Sequence, residues 1–170
     1  LSRKPAAVAR LSRRARPAPA PDSSGNANLT TIHRHALVAR TPATMFDLVN
    51  DVERYPSRFS WCASAEVLED HEGLRVARLG LRFAGATASF TTRNELERPT
   101  RIGLALVDGP FRALRGQWWF QPLGDSGCKV MLHLDFEMSG GLVGTALAIG
   151  FHKLADHLVE EFVRAAQTLP

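Results

Sequence analysis

An α+β fold is what the sequence predicts: one curved antiparallel sheet of six or seven strands, wrapped on a single long C-terminal helix, with two short helices after the first strand. Three observations carry this. Across residues 61–138 apolar side chains recur with a period of two, and turn residues interrupt them at regular intervals. From Leu147 onward the period lengthens to that of a helix. Ahead of the alternating region lies a short capped segment that a proline breaks. A sheet that is dry on one face and a helix with one apolar stripe each need a cover, and each can supply the other's.

Residues 30–40 alternate and form the first strand. Thr41 then reads as an N-cap, with Pro42 at the first helical position, where its missing N–H costs nothing. Met45, Phe46 and Val49 supply the stripe of this helix, which ends near Asp51, and a second helical turn follows over residues 53–58. Strands come next over residues 61–70 and 77–83, separated by a turn at His71, Glu72 and Gly73. Further strands cover residues 86–97, 102–106, 114–121 and 128–138. On the last two, Leu114, Trp118 and Phe120, then Val130, Leu132, Leu134 and Phe136, share the dry side, while Trp119 and His133 point away. The final helix starts in the corner Ser139-Gly140-Gly141 and repeats Leu147, Phe151, Leu154, Leu158 and Phe162 on one side.

The 170 residues suit one domain with a real core. The net charge of +4 is uneven. Residues 1–28 carry six basic groups and one acidic group, a net of +5, and the other 142 residues carry 15 basic and 16 acidic groups, a net of −1. The tail is basic, amphipathic and nearly acid-free, which is the look of a mitochondrial transit segment, and it runs into a Pro/Ala/Ser-rich linker. The alternative, a non-native stretch ahead of a bacterial protein, is preferred, so a bacterial cytoplasmic location is expected and the mitochondrial matrix is the alternative. The tail 1–28 is set apart from a ligand-binding domain over 29–170. A nearly neutral domain lacks the general field that holds DNA. The longest apolar run, residues 142–151, is about half the length of a membrane span. Peripheral membrane contact stays open.

Little here reads as reactive chemistry. Cys62 and Cys128 lie far apart without ligand spacing and read as packed thiols. His33 and His35 share a strand face without an obvious third ligand, so no metal site is assigned. No phosphate loop, nucleophile elbow or forced carboxylate pair occurs, and no catalytic residue is assigned. What remains is a surplus of apolar surface between sheet and helix, the setting for a lipophilic ligand. Candidate pocket residues are Phe83, Phe90, Trp118, Leu132, Leu134 and Phe136 from the sheet and Leu147 and Phe151 from the helix, with Tyr55, Phe59 and Trp61 at the mouth. Tyr55 is the candidate polar group for orienting a ligand head. Arg58 places a charge beside that mouth, and Arg58, Arg82, Arg112 and Arg115 are candidates for a local basic patch.

The stretches MFDLVNDVERYP with SWC, FTTRN, LVDGPFRALRGQWWF, CKV and DFE resemble the START-like coenzyme Q-binding proteins, most closely their bacterial RatA-type branch. The resemblance covers residues 30–168 and implies a helix-grip fold of the polyketide cyclase/START superfamily. For the coenzyme Q branch it implies a ubiquinone held in the cavity in support of respiration, with no reaction catalysed. For the RatA branch it implies a toxin that binds the large ribosomal subunit and blocks subunit association. The first expectation is therefore a non-enzymatic carrier of a lipophilic molecule, ubiquinone above others, with no required cofactor. The alternative is the ribosome-binding toxin. A cyclase or dehydrase has only the superfamily behind it.

Overall fold

The computed structural model describes residues 29–83, 86–140 and 142–170; the basic tail lies outside them. The elements follow the expected order. They are β1 (Thr30–Val38), α1 (Pro42–Asn50), a 3₁₀ turn (Val52–Arg54), α2 (Tyr55–Arg58), β2 (Cys62–His71) and β3 (Leu74–Phe83). Next come β4 (Ala86–Glu97), β5 (Arg101–Asp108), β6 (Phe111–Leu123), β7 (Gly127–Met138) and α3 (Leu142–Gln167). The seven strands form one antiparallel sheet in the order β1-β7-β6-β5-β4-β3-β2.

That order explains the two short helices. The first and second strands lie at opposite edges of the sheet, so the chain between them must cross it. The crossing is made by α1, the 3₁₀ turn and α2, whose buried side chains include Met45, Phe46, Leu48, Val49, Val52 and Tyr55. Thr41 caps α1 as expected: its Oγ1 accepts the Thr44 N–H at 3.2 Å.

Curvature comes from irregular pairing. The register shifts between Cys62 and Ser64, Val67 and Glu69, Thr91 and Thr92, and Phe111 and Ala113. Each bulge adds local twist and bends its strand, so the sheet closes around α3. At Gly116 the neighbouring strands crowd inward. A Cβ there would stand 2.7 Å from Leu134 Cδ1 and 3.0 Å from the His133 carbonyl oxygen. Glycine suits this close approach, because a Cβ would displace the end of the Leu134 side chain and crowd the His133 carbonyl.

Two aromatic clusters hold α3 in this grip. Phe151 packs edge-on against Phe111 and Phe136, each at 4.8 Å between ring centroids. Eleven residues further on, Phe162 meets Phe59 at 4.8 Å and Tyr55 and Trp118 at 5.4 Å. The two anchors are about 16 Å apart along the helix axis. Leu154 and Leu158, half-buried, lie between them.

Candidate functional site

Between the two anchors the helix does not fully meet the sheet. A cavity of about 100 Å³ remains. Its sheet side includes Phe90, Ile102, Leu104, Leu114, Trp118 and Leu134, its roof Phe151, Leu154, Leu158 and Phe162, and its end wall Tyr55 and Trp61. Of the residues expected at the site, Tyr55, Trp61, Phe90, Trp118, Leu134 and Phe151 line this cavity. Phe83 and Leu147 stand with Phe90 and Phe151 around a separate void of about 10 Å³. Phe136 borders a surface groove with Glu137 and His152. Phe59 and Leu132 are buried in the core and do not reach the cavity.

The polar groups differ from the expected one. Tyr55 spends its hydroxyl inside the protein, donating to the Val49 carbonyl oxygen. Burial above all pushes its phenol far upward, so it stays neutral. The cavity presents other polar groups. Thr92 and Asn94 line the cavity from β4, and Asn94 Oδ1 and Trp61 Nε1 are buried with no hydrogen-bond partner among the described residues. Strand alternation from Phe90 points both Thr92 and Asn94 inward, a signal present in the sequence but masked by their polarity.

An unsatisfied buried amide oxygen is costly, which makes it testable. Asn94→Leu is expected to raise stability by about 1–2 kcal/mol, because it removes a polar group that gains nothing from folding. Urea denaturation checks this; an unchanged or lower midpoint would mean that the amide is satisfied.

Arg58 is accounted for. Its Nη1 stands 3.0 Å from Asp51 Oδ2, close enough for an ion pair though not aligned for a hydrogen bond. Nor do the four candidate arginines form one basic patch. Arg112 stands 3.6 Å from Glu137 and Arg115 3.0 Å from Asp135, so only Arg82 lacks a carboxylate partner among the described residues.

Neither cysteine is set up as a nucleophile. Cys62 donates to the Ser64 carbonyl oxygen at 3.3 Å, and burial, its largest influence, raises its thiol above the ordinary range. Burial pushes Cys128 up to about 11. Both thiols are therefore protonated at neutral pH, and neither should react with iodoacetamide at pH 7 until the protein unfolds. Mass-spectrometric counting of adducts on native protein checks this; rapid labelling of either would overturn it.

His33 and His133 face each other across β1 and β7 with ring centroids 4.1 Å apart. His133 Nε2 lies 3.1 Å from Asp135 Oδ1, which also accepts from Thr31 Oγ1 at 2.7 Å. Among the described residues no group of three or more metal-ligating side chains comes together. No helix among them is long and apolar enough to cross a membrane.

A curved sheet closed on a long helix, with an apolar cavity between them, defines a helix-grip protein of the START and polyketide cyclase class. Residues 38–163 match the family described as polyketide cyclase / dehydrase and lipid transport, and the chain belongs to that family. Its sequence is 42% identical over 136 residues to the ribosome association toxin RatA of Vibrio cholerae, covering 80% of this chain and 94% of that protein. Among solved structures, the Zhui aromatase/cyclase from Streptomyces sp. R1128 superposes with a TM-score of 0.71 at 18% identity, over 82% of this chain and 94% of that one.

One expectation is corrected by these likenesses, that the protein is not an enzyme. The actinorhodin polyketide synthase bifunctional cyclase/dehydratase of Streptomyces coelicolor is 32% identical over 106 residues, 60% of this chain and 33% of that protein. An aromatase/cyclase shares the fold, and the family description itself names cyclases and dehydrases. Catalysis therefore lies within the range of this family, and a non-enzymatic role does not follow from the sequence.

Proposed function

We propose that this protein associates with the ribosome and acts on translation in the manner of the RatA toxins. The observation that carries this is the 42% identity to RatA over nearly the whole of that protein. It reverses the order of the two readings drawn from the sequence. The cavity weighs in the same direction. Ligand pockets commonly measure roughly 300–1,000 Å³, and a cavity of about 100 Å³ is too small for an isoprenoid quinone.

The test is sedimentation. Overproduction in a bacterial host is expected to deplete joined ribosomes and raise free subunits on a sucrose gradient. An unchanged profile, with the protein at the top of the gradient, would overturn the reading.

The apolar lining favours a second reading, a site for a small lipophilic molecule, with ubiquinone as the ligand first expected. Its burial would be driven by roughly 25 cal/mol per Å² of apolar surface removed from water. A quinone would have to part α3 from the sheet. Solvent extraction of purified protein followed by mass spectrometry decides: co-purified quinone supports this reading, and protein that is free of quinone and fails to take it up ends it.

A further inference from the structure

Most of the positive charge on this domain is already spent. Ten of the fifteen cationic side chains beyond residue 28 stand within ion-pair distance of a carboxylate. Arg40 donates to the carbonyl oxygens of Leu169 and Pro170. Arg82, Arg93, Lys129 and Lys153 remain without such a partner among the described residues.

These four are not equivalent. Arg93 and Lys129 stand on the outer face of the sheet, on β4 and β7, with β5 and β6 between them. Arg82 and Lys153 are exposed and line one groove of about 450 Å³, between the end of β3 and the outer side of α3. The acidic side chain in its lining is Glu161, which faces Arg164 at 2.9 Å, so its charge is already met. The groove also carries Trp61, Phe83 and Ile149, the last 56% exposed.

Two uncompensated cations on the rim of one groove suit the phosphates of a nucleic-acid backbone. We propose that this groove is the surface through which the protein contacts RNA, and that its occupant on the ribosome is ribosomal RNA. The proposal rests on the ribosome-association reading and names the face that serves it. A domain with a net charge of −1 has no general attraction for a polyanion, so contact must come from local groups. An acidic peptide would meet the same cations, and binding to protein-free rRNA across a salt series separates the two.

The experiment compares three proteins: the full chain, R82Q/K153Q, and R93Q/K129Q. Each is checked for folding by thermal melting. Binding to purified bacterial 50S subunits and to protein-free 23S rRNA is then measured across a salt series. Removing two phosphate contacts should flatten the slope of log K against log salt by about 1.5 and weaken binding about tenfold or more near 0.1 M salt. R82Q/K153Q is expected to show this with both probes, and R93Q/K129Q to bind like the parent. Unchanged binding by R82Q/K153Q, or a loss confined to R93Q/K129Q, overturns the groove while leaving ribosome association standing. Binding to subunits with none to rRNA overturns RNA as the occupant. A parent chain that binds neither probe removes the ribosome reading and this inference with it.

Discussion

Phe162→Ala should destabilise the protein by about 3–5 kcal/mol, among the largest effects expected of any single truncation. The ring is 1% exposed and touches Tyr55 and Phe59 from the edge-to-edge crossing and Trp118 from the sheet. It therefore joins three parts of the chain that local sequence does not hold together. Removing it leaves a hole that α1 and α2 can fill only by giving up their own contacts. Phe162 also roofs the cavity, so the loss should merge that hole with the existing space. Urea denaturation measures the cost, and a loss below about 1 kcal/mol would show that the site collapses without penalty.

Gly150→Val sets two effects against each other. Glycine is the poorest helix former after proline, so intrinsic preference favours valine by a few tenths of a kcal/mol. Packing opposes it. A Cβ at this position would lie 2.6 Å from Phe83 Cγ and 2.8 Å from Phe83 Cβ. Those atoms sit next to the backbone and cannot swing aside as the end of a long side chain would. Overpacking of this kind costs about 1–3 kcal/mol, so packing wins and α3 is pushed from the end of β3. The paired measurement is Gly150→Val with Phe83→Ala. Truncating the ring removes the Cγ contact but leaves Phe83 Cβ in place, so valine should become less costly without becoming free, and strictly additive losses would mean that the ring does not press on residue 150.

The strands and helices were legible because each rests on local periodicity. Alternation from Trp61 onward needs no knowledge of neighbours, and the same holds for the stripe from Leu147 to Phe162. The cavity was less legible, for a physical reason. On the dry face Leu132, Leu134 and Phe136 look alike in sequence, yet Leu134 meets the void, Leu132 is packed, and Phe136 edges another groove. Only the seating of α3 separates them, and that depends on pairs such as Phe151 with Phe111, far apart in the chain. Asn94 is hard to read from sequence because its residue type argues for the wet face while its parity places it on the dry one. The ion partner of Arg58 is not legible in the sequence, because Asp51 approaches it only once the 3₁₀ turn and α2 bring the chain back on itself.

Among the described residues the sheet ends in two edge strands, β1 and β2, and they are guarded unequally. Along β2 the pairing with β3 is broken by two bulges, and Glu66, Glu69 and Asp70 are exposed there. A bent, acidic edge is a poor template for another chain. At the other edge β1 pairs in unbroken register over nine residues and leaves Leu37 67% exposed. Its defence is the side chain of Arg34, which is drawn toward Asp156 on α3. Under crowding or partial unfolding, intermolecular strand pairing should therefore begin at β1, and a lysine in place of Leu37 is the substitution that would blunt aggregation there.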